Sequence, residues 1–232
     1  KVNFGSTSMG FMAVISTTPE VINGKRYDGR VALSAQNSCA EAGQTMVVPD
    51  EISTIYGDKT FDLTSIQPNV MKAEQTTDYT LTLGANVESI GFSAFEGQTH
   101  LTGLNLNANL QSIGASAFKD CGIKSVMFNY GIRSIDGKAF YGNKIPSIFI
   151  PASIEQFGSD CLAQNTKLKY FSLNSLHLWK TVADFTGVPK TCKFYVPTGV
   201  VAAYKAKQGW SGYDIEAGAC DFTYKNAGIL NT

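Results

Sequence analysis

The chain is short of charge, of histidine and of long apolar runs, and each shortage removes a class of function. Lys and Arg total 19 and Asp and Glu total 19, so the formal charge is zero. No general field therefore draws in nucleic-acid phosphates or anionic lipid, and neither is an expected partner. The richest early apolar stretch, Gly10 to Ile15, stops at Ser16, well short of the roughly 18 residues a spanning helix needs. Only His100 and His177 could serve as the usual general base near neutral pH. The sequence also lacks a Gly-x-Ser-x-Gly elbow, a His-Glu-x-x-His pair, a Gly-Lys-Ser/Thr phosphate loop and a Gly-x-Gly-x-x-Gly helix opening. Common hydrolase, metallopeptidase and nucleotide-binding signatures are thus missing, no cofactor is expected, and the reading is of a non-enzyme. No Cys-x-x-Cys or Cys/His cluster offers a metal site.

What is present is 44% hydrophobic residues against 16% charged, which indicates a folded core under a surface of uncharged polar side chains. Such a surface suits an exported protein. A chain opening at Lys1 fits a trimmed product, with any signal or lipid anchor neither visible nor excluded.

The dominant signal is an internal repeat between Thr80 and Pro197. Pairs of apolar residues flank one variable position and are followed by Gly, Asn or Pro: Leu81/Leu83-Gly84, Leu104/Leu106-Asn107, Val126/Phe128-Asn129, Ile148/Ile150-Pro151, Phe171/Leu173-Asn174 and Phe194/Val196-Pro197. The punctuating residues are 23, 22, 22, 23 and 23 apart. A second series shares the period out of phase: Ile90-Gly91 with Ala94-Phe95, Ile113-Gly114 with Ala117-Phe118, Ile135-Asp136 with Ala139-Phe140, and Phe157-Gly158 with Cys161-Leu162.

Alternation over three or four positions is a short strand with one buried side, ended where Pro, Gly or Asn turns the chain. The Ile-Gly step makes a second corner. The Ala-Phe pair suits a single tight helical turn that plugs Phe into the centre of the coil. One coil cannot bury enough apolar surface to fold alone, so stability must come from stacking. An irregular first coil precedes the series, with Met46/Val48-Pro49 at the strand position and Ser65-Ile66 with Asn69-Val70-Met71 at the others. The extra length falls on Ile55 to Phe61, which reads as a hairpin turning at Gly57-Asp58.

These units, above all Val87-Glu88-Ser89-Ile90-Gly91-Phe92-Ser93-Ala94-Phe95 and Leu110 to Cys121, resemble the BspA-type leucine-rich repeats of bacterial surface proteins over roughly residues 45 to 214. Phe194 to Pro197 with Ala203-Tyr204-Lys205 and Gly209-Trp210 is similar to that family's terminal unit, where a short helix closes the stack. The pattern weakens late, with Phe157, Cys161 and Leu162 in the fourth unit and Thr186-Gly187-Val188 in place of a fifth Ala-Phe step.

The fold expected is a β-rich solenoid: a right-handed leucine-rich-repeat coil of 22–23-residue units with short strands, single helical turns and a β-hairpin cap at the N-terminal end. Its divisions are an N-terminal β cap or small β-module over 1–44, the solenoid with its terminal unit over 45–214, and a tail over 215–232. The tail holds one alternating stretch, Cys220 to Tyr224.

The resemblance implies a cell-surface or secreted adhesion protein, with a protein or glycan of a host or neighbouring cell as partner. If alternate strand residues face inward, Thr82, Asn105, Met127, Phe149, Ser172 and Tyr195 face outward, flanked by Tyr170 and its equivalents. Met127, Phe149, Tyr170 and Tyr195 then form an exposed apolar patch of the kind that marks interaction surfaces. The competing readings are that these side chains shield neighbouring strands or are covered by residues 1–44 or the C-terminal tail, that the solenoid is a spacer or self-assembly module, and that a hydrolase site lies near the 55–63 hairpin. Of the five cysteines, Cys121 falls where the family often places Cys, and Cys161 replaces the small Ala, so both read as buried packing. Cys192 and Cys220 either bridge, tying down the tail, or remain free thiols.

Overall fold

A computed structural model describes in full residues 45–51, 61–71, 76–176 and 185–218, and the backbone of 2–4, 7–14, 20–22, 25–27, 30–36, 52–53 and 60. Period-two alternation and the turn residues after it produce two ladders that run along a parallel β-solenoid of about six coils. The first ladder, the wall, comes in two four-stranded halves. Thr45–Val47, Tyr79–Thr82, Leu101–Asn105 and Ser125–Val126 form one, and Ser147–Ile150, Tyr170–Leu173, Lys193–Val196 and Asp214–Ala217 the other. The second ladder pairs the ends of Thr60–Ile66, Ser89–Ile90, Ser112–Ile113, Ser134–Ile135 and Gln156–Phe157 in parallel, with Ser65↔Ser89, Ser89↔Ser112, Ser112↔Ser134 and Ser134↔Gln156 in register.

The inward pairs are the expected ones. Leu81, Leu83, Leu104, Val126, Phe128, Ile148, Ile150, Phe171, Leu173, Phe194 and Val196 are all buried, and Leu106 is half-buried against the same core. The irregular first coil sits in the same register: Met46 pairs with Leu81, and the Met71 amide donates to the Ala94 carbonyl at 2.9 Å. Down the middle, Phe95, Phe118 and Phe140 stack with centroids 5.4 Å apart.

The Ala-Phe steps differ from the helical turn expected. Ser93, Ser116, Lys138 and Asp160, each just before the small residue, lie in the left-handed region at φ 49°, 56°, 59° and 55°. A non-glycine residue there costs about 1–2 kcal/mol. What offsets it is intercoil bonding: the amides of Ser93, Ser116 and Lys138 donate to the carbonyls of Ala115, Gly137 and Ser159 at 2.8, 3.0 and 2.9 Å. A helical turn would spend those amides within its own coil. A second left-handed position follows at Gly97, Asp120, Gly142, Gln164 and Gly187. Because Phe95, Phe118, Phe140 and Leu162 stand two residues before it, the fifth member of the series is Phe185, not one of Thr186-Gly187-Val188. Phe185 is buried among Phe171, Phe194 and Trp210.

Glycine at the Ile-Gly step answers to close approach rather than to φ. A Cβ on Gly114 would lie 2.7 Å from the Phe92 backbone nitrogen of the preceding coil.

At the N-terminal end Glu51–Ser53 pairs antiparallel with Thr60–Ile66, with Ile52 opposite Phe61. This is the expected hairpin with its arms set further from the turn, which itself lies outside the described residues. Arg30–Gln36 pairs parallel with Thr60–Ile66, and Thr7–Val14 and Val2–Phe4 follow antiparallel, so these strands continue the second ladder. At the other end the short helix Val201–Lys205 buries Tyr204, and Trp210 lies over it at 4.3 Å between centroids. The last described strand is Asp214–Ala217; the alternating stretch from Cys220 to Tyr224 lies outside the described residues.

Candidate functional site

The outer face of the wall consists of the positions between the inward pairs. The first coil presents the exposed Val47 there, and the next two are polar, with the Asn105 side-chain amide donating to the Thr82 hydroxyl at 3.0 Å. Met127, 40% exposed, begins an apolar region. The Phe149 site differs from expectation: it is 4% exposed, and the Tyr130 ring stands edge-on to it at 6.3 Å between centroids. Ser172, next in the stripe, is buried as well, and Tyr170 and Tyr195 are half-buried. The surface the structure offers is therefore Met127 and the 69% exposed Tyr130, with Phe149 beneath them as support.

Tyr130, Val47 and Leu176 are exposed apolar side chains that the stripe did not include. Val47 was recoverable, since it lies between the inward Met46 and Val48. Tyr130 and Leu176 follow the turn residues Asn129 and Asn174, where alternation no longer tells in from out.

The polar groups of the array are mostly engaged between coils. Glu96 pairs with Lys119 at 2.7 Å, Arg133 with Glu155 at 2.7 Å, and Lys193 with Glu216 at 3.2 Å. The Lys119 ammonium, joined by the Ser93 hydroxyl, holds the Glu96 carboxyl below its ordinary range, and Glu96 in turn raises Lys119. His100, in the corner before its strand, has Nδ1 3.0 Å from the Asp78 carboxylate, and this contact, ahead of Lys124, lowers Asp78. His177 lies outside the described residues, as does the turn of the 55–63 hairpin.

Cys121, Cys161 and Cys192 are buried free thiols, each pushed up to about 12 by burial. They are poor nucleophiles, since the thiolate is the reactive form. Cys121 and Cys161 occupy the packing positions expected of them. Cys220, the proposed bridging partner of Cys192, is outside the described residues. No group of three or more His, Cys, Asp or Glu among the described residues is arranged to hold a metal ion. Among the same residues no helix is long and apolar enough to cross a membrane.

Comparison with known proteins follows the same lines. The model of the BspA type leucine rich repeat region matches residues 64–182 with six copies. A leucine-rich repeat protein from Bacteroides ovatus aligns with a TM-score of 0.54 and 18% identity, over 77% of this chain and 53% of that one. The chain thus spans about half the length of that protein. The leucine-rich repeat protein of T. pallidum aligns with a TM-score of 0.53 and 17% identity, over 87% of this chain and 96% of that one. At these identities the likeness is one of fold. Among curated proteins no sequence matches.

Proposed function

Because the chain belongs to the BspA-type leucine-rich repeat family, we propose that it is a recognition protein, secreted or displayed at a bacterial surface, that binds a host or neighbouring-cell protein through its wall. The observation that carries this reading is the pair Met127 and Tyr130, large apolar side chains left exposed in the middle of the array. An exposed aromatic beside a flexible thioether, backed by a buried ring, is the composition of an interaction hot spot. The described thiols, buried and held protonated, are poor nucleophiles and supply no thiolate chemistry.

The test is binding of the purified chain to an array of matrix and cell-surface proteins, repeated with M127S/Y130S. A captured partner lost by the variant at unchanged melting temperature supports the reading. Undiminished capture by a folded variant rejects the site.

A second reading, self-assembly, draws on Thr45–Val47, which is the end strand of its half of the wall and carries the exposed Val47. Strand edges are templates for pairing. Light scattering across concentration tests it, and a monomer throughout rejects it.

A further inference from the structure

Elsewhere in the solenoid, residues that the coil register brings side by side carry opposite charge, as in Glu96–Lys119, Arg133–Glu155 and Lys193–Glu216. One corner breaks this rule. Ser147 pairs with Tyr170 and Tyr170 with Lys193, a spacing of 23 residues. Lys144, Lys167 and Lys190 stand at that same spacing, each three residues before its strand partner. All are exposed, and successive coils lie about 4.8 Å apart. Lys169 adds a further exposed cation. The corner segments 141–147, 163–170 and 186–193 contain no Asp or Glu. Among the described residues none of these lysines except Lys193 meets a carboxylate. Lys190 is held in place by the Tyr213 ring, 3.8 Å from its ammonium. Like charges on neighbouring coils repel one another, and an anion lying along the row relieves that repulsion.

We propose that this ridge binds a linear acidic polysaccharide, with its carboxylate or sulfate groups set along the coil axis. The exposed hydroxyls of Thr166 and Thr191, beside Lys167 and Lys190, suit sugar hydroxyls. None of the large exposed apolar side chains lies on the ridge to stack a base, and the cations are lysines rather than arginines, which disfavours nucleic acid. The site is separate from the wall surface proposed above.

The test uses the full chain with heparin and polygalacturonate as probes and with dextran and oligo-dT as comparisons. Binding of both acidic polymers is expected, with log K falling against log salt at a slope of about −2 to −3. K144Q/K167Q should weaken it by about tenfold or more and flatten the slope by about two. K138Q/K205Q, with the same change in charge elsewhere, and M127S/Y130S should bind as the wild type does. No binding of either polymer, equal weakening by K138Q/K205Q, or oligo-dT bound as tightly as the glycans overturns the proposal. Loss with M127S/Y130S alone moves the polymer to the wall, which overturns the ridge and leaves the recognition reading standing.

Discussion

The Cys121 thiol donates to the Phe95 carbonyl of the preceding coil at 3.0 Å. The next two coils make the same link with an amide: Asn143 Nδ2 donates to the Phe118 carbonyl at 2.7 Å and Asn165 Nδ2 to the Phe140 carbonyl at 2.8 Å. One position per coil thus satisfies a carbonyl that the left-handed turns leave inside. Removing the donor leaves the Phe95 carbonyl with only the longer bond from the Gln98 amide at 3.3 Å, so Cys121→Ala should cost about 0.5–1.5 kcal/mol. Cys121→Asn should recover most of the loss, since the position already holds Asn twice. Urea unfolding of the two variants measures the difference, and equal stabilities would mean that Cys121 contributes volume alone.

Two glycines that look alike in sequence should respond differently to change. Gly114 faces the Phe92 backbone, which cannot move aside, so Gly114→Ala should destabilise by about 1–3 kcal/mol. Gly97 has φ 77° and open space around a notional Cβ, and Asp120 and Gln164 occupy its position in later coils. Gly97→Asn should therefore lie within about 0.5 kcal/mol of the wild type. Thermal unfolding checks both, and a loss at Gly97 matching that at Gly114 would contradict the distinction.

This difference marks how far the sequence could be read. The inward pairs, the irregular first coil and the closing Tyr204–Trp210 unit follow from alternation and period, because burial acts on every coil alike. The left-handed turns did not show, because Ser93, Ser116 and Lys138 are not residues that favour positive φ; intercoil amide bonds impose it. Phe185 was missed because its small partner is absent. Phe149 read as exposed because alternation reports on the strand alone, whereas side chains beyond it, such as Tyr130 after the turn, also pack against the ring. The lysine ridge needs the coil register, which a composition with zero net charge conceals.

The buried thiols make alkaline pH a test of the core. In the unfolded chain a thiol ionises near 9.0, whereas Cys161 in the fold is pushed up to about 12 by burial. A raised folded value means that the contribution to stability is complete below pH 9.0 and is lost progressively as pH climbs towards 12. Cys161→Ala installs the residue found at the same place as Ala94, Ala117 and Ala139, so it should be tolerated near neutral pH and should shallow the alkaline decline. Urea midpoints taken on both sides of the thiol range decide this. A decline of unchanged steepness in the variant would assign it to other groups.

The C-terminal aromatic cluster should stabilise its own coils rather than the whole array. Trp210 is fully buried, with ring centroids 5.5, 5.2 and 5.3 Å from Phe171, Phe185 and Phe194. Trp210→Ala removes the ring that these three share, at a cost of about 3–5 kcal/mol. In a solenoid each coil touches only its neighbours, so the damage should spread outward from that end. Hydrogen exchange should quicken first at Tyr170–Leu173 and Lys193–Val196, while the amides of Ser89–Ile90 and Ser112–Ile113 keep their protection. If exchange quickens equally in all four strands, the array unfolds as one unit, and the cluster is then a keystone for every coil rather than a cap on the last ones.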